Sequence, residues 1–427
     1  MMRNIIIMIF LLIGVSVKLS PQAGFNDLFF DKTMRFDYYH TGTHDTEMIS
    51  FGALIEEPFY GGSYINLLDT FNYGHYFFEI VSAENNRVVY SRGFSTLFEE
   101  WQDTEDAMNK WKTFQGSLVF PFPKTAFLVK IYVRDAMNNW ELLYEQHIDT
   151  AADYIRKGRP FTFDMFDIVL NGPANEKMDI VFLAEGYTKS EMKKFIKDCK
   201  AFAHYLFASA PFKEYKNSIN IRGVASISEE SGTDFPGKDI WRNTILDTRF
   251  YTFGSERYLM TENFHRVRDV ASNAPYDQIF IIVNTEEYGG GGIFNHYATG
   301  SSDNMHAPFL LIHEFGHAFA GLCDEYYTSE VAVEDYYSLD VEPWCPNLTT
   351  LVNFETKWKD MMDETTPIPT PVTKNNRNTL GVYEGGGYMA KGIYRPYIDC
   401  TMKSVQYDVF CPVCRRAIKR MILFYAN

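Results

Sequence analysis

The sequence predicts a two-part α/β (α+β) architecture: an antiparallel β-sandwich over residues 25–165 and a mixed α/β domain over residues 175–427, behind an apolar leader at residues 1–24. Three observations predict it. The first third of the chain is a succession of short apolar and aromatic runs separated by turn residues, which is strand patterning. After residue 175 compact apolar runs alternate with helix-length segments, as strands backed by helices do. Between the two, Arg156-Lys157-Gly158-Arg159-Pro160 breaks the alternation with charge, glycine and proline. At 427 residues there is chain enough for two or three domains, each with its own core.

The leader begins Met1-Met2-Arg3-Asn4, is apolar over residues 5–17 and turns polar at Lys18. A basic start before an apolar stretch of this length matches an export signal and falls short of a bilayer span. The expectation is a periplasmic or secreted protein, cleaved near residues 20–24, with no membrane span in the mature chain. In the sandwich, residues 76–81, 88–90, 117–120 and 127–133 read as strands, with Asn85-Asn86 and Asn138-Asn139 as turns. Residues 128–134 and 140–144 form a hairpin pair. His40, His44 and His75 are scattered and make no catalytic pattern, so this part reads as an accessory module.

In the second part, residues 179–184, 218–227 and 278–284 read as strands and residues 189–208 and 258–271 as helices. Gly289-Gly290-Gly291-Gly292 and Gly385-Gly386-Gly387 lack the Gly-Lys-Ser/Thr continuation of a phosphate loop. The first run reads either as a flexible loop or as an edge strand able to pair with an extended peptide. The balance of 40 basic against 55 acidic residues, net −15, disfavours nucleic acid and anionic membrane surfaces as partners. Six cysteines in an exported chain suggest disulfides whose pairing the sequence does not choose. Cys411-Pro412-Val413-Cys414 also reads as a redox or structural-metal pair, but no second closely spaced pair completes a four-thiolate site.

The chemistry concentrates in residues 313–326, His313-Glu314-Phe315-Gly316-His317-Ala318-Phe319-Ala320-Gly321-Leu322-Cys323-Asp324-Glu325-Tyr326. Residues four apart on a helix share a face, so His313 and His317 can aim ring nitrogens at one ion while Glu314 sits beside it. Zinc lowers the pKa of a bound water to near neutrality, and a neighbouring carboxylate can then take its proton. The preceding Pro308-Phe309-Leu310-Leu311-Ile312 is apolar with proline in a first turn, so the helix reads as buried. Two imidazoles and a carboxylate are costly there without a partner. Gly321 stands where the helix should end in the left-handed conformation. The chain can then turn and present Asp324 or Glu325 as a third ligand. His306 reads as a capping or packing residue.

Several separated matches extend this. Gly316 and Gly321-Leu322-Cys323-Asp324-Glu325-Tyr326, Glu230-Ser231-Gly232 and Phe235-Pro236 upstream, and Tyr383-Glu384-Gly385, Tyr394-Arg395-Pro396, Cys400-Thr401-Met402 and Phe410-Cys411-Pro412-Val413-Cys414 downstream together resemble the bacterial IgA-peptidase-type zinc metallopeptidases over residues 175–427. The resemblance implies a metzincin-like catalytic fold behind a β-sandwich-like domain, with Met402 in a methionine turn beneath the metal. It departs from the usual metzincin spacing of a glycine three residues and a ligand six residues after the second histidine, because here Gly321 is four and Asp324 seven residues on. We assign Asp324, the first carboxylate past the glycine, with Glu325 as its rival.

The resulting expectation is a zinc (Zn²⁺) endopeptidase acting on protein or peptide substrates through a zinc-bound water. His313, His317 and Asp324 are the ligands, Glu314 is the general base, and one of Tyr394, Tyr397 or Tyr407 is an oxyanion donor. Two readings compete: an exported surface binding or adhesion protein with a structural or inactive zinc site, and an enzyme whose third ligand is Glu330 or Glu334.

Overall fold

The computed structural model describes residues 24–327, 337–406 and 409–426. The expected leader, through residue 23, lies outside them. The described chain opens on a one-turn helix α1 (Phe25–Leu28), followed by β1 (Phe29–Gly42), β2 (Glu47–Glu57), β3 (Tyr76–Ser82) and β4 (Val88–Phe94). Two short helices, α2 (Leu97–Gln102) and α3 (Glu105–Asn109), precede β5 (Lys112–Pro123), β6 (Phe127–Arg134), β7 (Trp140–Ile148) and β8 (Ile155–Lys157). These strands form two four-stranded sheets, β5-β1-β2-β8 and β4-β3-β6-β7. Phe36, Phe78, Phe120, Val129 and Ile131 lie in the core between them. In β6 the buried residues Phe127, Val129 and Ile131 alternate with partly exposed ones, the period-two pattern of a strand with one wet face. Arg134 pairs with Trp140 across the β6–β7 hairpin, and Asn138 takes a φ of +62° in its turn, a conformation asparagine tolerates.

The second part contains β9 (Met165–Val169), β10 (Met178–Glu185), α4 (Met192–Ala208), β11 (Ile219–Val224), α5 (Phe264–Ala271), β12 (Gln278–Val283), β13 (Gly290–Ile293), β14 (Tyr297–Ser301), α6 (Ala307–Ala320), β15 (Tyr383–Gly386), β16 (Met389–Arg395) and α7 (Pro412–Tyr425). Six of its strands form one sheet in the order β13-β14-β12-β10-β11-β9. The inner pairs are parallel, and β9 and β13 close the two edges antiparallel. Every residue of β10 is buried, which is why it reads as a continuous apolar run.

Its side chains alternate between two cores. Ile180, Phe182 and Ala184 face a cluster that includes residues of α4, α6 and α7. Val181 and Leu183 face a second cluster that combines α5 with Leu97, Phe98, Trp101 and Phe114 from the first part of the chain. The N-terminal domain therefore closes one face of this sheet.

One element differs from the sequence reading. The expected helix over residues 258–271 is helical only from Phe264. Upstream, Tyr258 bridges to Gly290 and Met260 to Arg249, so the neighbouring strand edge captures the backbone that a helix would have used internally. Residues 290–292 of the glycine run lie in the edge strand β13 rather than in a loop.

Arg35 on β1 ties the two parts together. It is buried and ion-pairs with Asp37 at 2.9 Å, Glu57 at 3.1 Å and Asp269 of α5 at 2.7 Å. Arg35→Ala leaves two buried carboxylates without their cation and is expected to destabilise the protein by roughly 3–5 kcal/mol in urea unfolding. Asp269→Ala, which leaves Arg35 its other two partners, is expected to cost less; the reverse ranking would show that Arg35 acts only within its own sheet.

Candidate metal centre

Helix α6 begins after Asn304, whose side-chain oxygen accepts the His306 N–H at 2.9 Å. His306 holds the N-cap position without a side-chain cap bond and packs its ring edge-on against Tyr288. Pro308 lies in the first turn, where its missing N–H costs nothing. The helix stops at Gly321, which takes a φ of +60° and donates its N–H back to the carbonyls of Gly316 and His317. The reversal brings the Leu322 carbonyl under His317, whose Nδ1 meets it at 2.6 Å. The His313 Nδ1 meets the Thr401 carbonyl at 3.0 Å.

A neutral imidazole carries one N–H, so a ring that donates through Nδ1 presents a bare lone pair at Nε2. The two Nε2 atoms face each other at 3.2 Å. Asp324 Oδ1 lies 3.2 Å from the first and 3.4 Å from the second and accepts no hydrogen bond. The other oxygen, Oδ2, accepts the Tyr388 hydroxyl at 2.6 Å. With each ring neutral and donating through Nδ1, three electron-pair donors point into one small volume. That is the donor set and spacing a divalent transition metal requires, and these residues fit such an ion.

The same field appears in the titration of the bare site. Burial lowers the His317 pKa, but the Asp324 carboxylate, Glu314 and the Leu322 carbonyl outweigh it and push the ring up to about 10. His313 also rises, against its burial, chiefly through Asp324. Burial works to raise Asp324, and the two histidines overcome it and hold the carboxyl well below its ordinary value. Glu314, next to the cluster, is pushed up by burial while the histidines pull it back.

Family profiles match residues 166–379 and 373–422 to IgA Peptidase M64, and residues 24–145 to the Peptidase M64 N-terminus. The chain belongs to the IgA peptidase M64 family. It is therefore a metallopeptidase, and its substrates are proteins. Comparison with curated proteins gives no match.

In this M64 peptidase the two adjacent carboxylates of the third-ligand loop point in opposite directions. Asp324 faces the histidines, whereas Glu325 is fully buried, with Asn347 Nδ2 at 3.0 Å and Cys414 Sγ at 3.4 Å from its Oε1. The Glu325 N–H donates to the Met402 carbonyl at 2.7 Å, which pins the loop to the Cys400-Thr401-Met402 turn. A Cβ on Gly316 would come within 3.0 Å of Met402 Sδ, so this turn packs directly against the histidine helix. On the other side, a Cβ on Gly292 would lie 2.1 Å from the Glu314 carbonyl, and one on Gly290 3.0 Å from Glu314 Cγ. The glycine run exists because the helix backbone rests on that edge strand.

Tyr394 and Tyr397 pack against the core beneath the sheet, and Tyr407, Glu330 and Glu334 lie outside the described residues. The phenols brought to Asp324 are Tyr388 and Tyr326, whose own pKa burial and this carboxylate push up. Sequence reasoning missed both, although Tyr326 ends the motif. The M64 N-terminal domain reads in sequence as an accessory module without a catalytic pattern. Yet a cleft of about 620 Å³ is lined by His75, Glu99 and Glu100 from it and by His317, Asp324 and Tyr388 from the catalytic domain.

Tyr388→Phe removes the hydrogen bond that orients Asp324 and is expected to weaken metal affinity roughly 10–100-fold in a chelator competition. Unchanged affinity would show that Asp324 is oriented by Tyr326 and the Glu325–Met402 backbone contact without Tyr388.

Proposed function

We propose that this M64 peptidase is a zinc-dependent endopeptidase, exported by its leader to the periplasm or the medium, in which His313, His317 and Asp324 hold the ion and Glu314 is the general base. The observation that carries the reading is the meeting of two bare Nε2 atoms and an unpartnered Asp324 oxygen within 3.4 Å of one another. Nitrogen and carboxylate donors in a set of three, leaving a fourth position for water, are what catalytic zinc uses. A metzincin-like arrangement is part of the proposal. It is supported by the Met402 turn packed under Gly316 and by the Thr401 carbonyl that fixes the tautomer of His313. Export is supported by the leader and is compatible with the described residues, none of whose helices is long and apolar enough to cross a membrane.

Zinc, when bound, supplies a Lewis acid that acidifies water and polarises the scissile carbonyl. Glu314 takes the proton of the attacking water and passes it to the leaving amine. Its carboxylate makes no hydrogen bond among the described residues, which leaves it free to meet the water. β13 lies beside Glu314, with the N–H and C=O of Gly290 already bonded to Arg257 and Leu259. Asp45, Glu47, Glu99, Glu100, Asp103 and Glu342 line the cleft and select basic side chains near the scissile bond.

Metal content and hydrolysis of a denatured protein mixture, compared between wild type and Glu314→Ala, test the mechanism. The variant is expected to keep its metal and lose roughly 10²–10⁴-fold in rate; full activity in the variant would sink the assignment of the base. The acidic cleft makes a second prediction. Burial raises Glu99 and Glu100 to about 8, so both are largely neutral below that pH and become anionic as it rises through 8. The preference for Lys- and Arg-containing peptides over neutral ones is expected to grow across that window and to shrink with added salt. A preference flat in pH would place the substrate outside this wall.

A further inference from the structure

Directly behind the catalytic cluster is a second convergence of metal-binding side chains that the reaction does not use. Cys400, Cys411 and Cys414 are buried, and their sulfurs lie with a Glu325 oxygen within 4.8 Å of one another. Cys414 Sγ is 3.8 Å from Cys400 Sγ, 3.5 Å from Cys411 Sγ and 3.4 Å from Glu325 Oε1. A tetrahedral zinc ion with Zn–S near 2.3 Å and Zn–O near 2.0–2.2 Å has S···S edges of about 3.8 Å and S···O edges of about 3.5 Å. A disulfide needs about 2.0 Å, and none of the six cysteines is disulfide-bonded in the structure.

Backbone N–H groups reach two of the three sulfurs. Cys411 caps helix α7 and its sulfur accepts the Cys414 N–H at 3.5 Å, while Cys400 Sγ accepts the Cys411 N–H at 3.3 Å. Backbone donors aimed at sulfur favour its charged, metal-binding form. The Glu325 side chain is fully buried, yet its Oε2 has no hydrogen-bond partner. A buried carboxylate left this way is costly unless a cation is close.

We propose that Cys400, Cys411, Cys414 and Glu325 form a second, structural site for one thiophilic divalent cation of the zinc class. Its four ligands leave no open position, so it does no chemistry on substrate. The three thiols lose their protons to solvent as the ion binds. The pair at 411 and 414 lacked a partner pair in sequence because the other ligands come singly, from the third-ligand loop and from the methionine turn. The ion clamps these two segments to the start of α7. Glu325 adjoins Asp324 and Cys400 adjoins Thr401, so the clamp positions both the candidate third ligand and the carbonyl that orients His313.

The test is made on the purified full chain. Elemental analysis of protein loaded with zinc is expected to give about two ions per chain, falling by one in Cys400→Ser or Cys414→Ser and, separately, by one in His317→Ala. These two losses keep this proposal and the catalytic-zinc reading independently falsifiable. Because a cysteine variant can misfold, the deciding measurement uses wild type loaded with cobalt(II). The catalytic donors contain no sulfur, so a strong sulfur-to-cobalt charge-transfer band reports this site alone. One zinc per chain that His317→Ala abolishes, with no such band, overturns the proposal, as does a disulfide among the three cysteines in mass spectrometry of the unreduced protein.

Discussion

Two imidazole nitrogens and a carboxylate oxygen held within 3.4 Å of one another repel unless a proton or a metal cation lies among them. Most of the surrounding architecture serves to hold that unfavourable arrangement. The Nδ1 atoms of His313 and His317 are committed to the carbonyls of Thr401 and Leu322, which forces the bare nitrogens inward. Asp324 is steadied by Tyr388 on its outer oxygen. None of these contacts suffices alone, and together they keep three donors in register before any ion arrives.

Rigidity behind the donors comes from two cores meeting at one sheet. β10 sends alternate side chains to each, so the sheet under the metal helix is fixed from both faces. One of those faces is completed by the N-terminal domain, which also contributes Glu99 and Glu100 to the cleft. The N-terminal domain thus supplies both part of the core and part of the cleft wall. This explains why Arg35 reaches across to Asp269, since a hinge at that junction would move one wall of the cleft relative to the metal.

The short stretch from Gly321 to Glu325 divides its work between adjacent side chains. Asp324 faces the histidines and Glu325 faces the cysteines. Of the two adjacent carboxylates, only Asp324 lies against the imidazole nitrogens. Glu325 belongs to the support beneath the centre, where its N–H also holds the Met402 carbonyl.

What the sequence determined by itself is what depends on local periodicity. The four-residue spacing of His313 and His317, the turn at Gly321 and the apolar runs of β10 and β12 are set by neighbours along the chain, and each is legible there. The helix over residues 258–263 was misread because a distant strand edge competes for its backbone. The direction of Asp324 against Glu325, the arrival of Tyr388 and Thr401, the gathering of Cys400 with Cys411 and Cys414, and the role of the N-terminal domain as a cleft wall were decided by tertiary structure alone. Each rests on contacts between segments far apart in the chain, and side-chain type and spacing carry no record of which distant segment will pack against them.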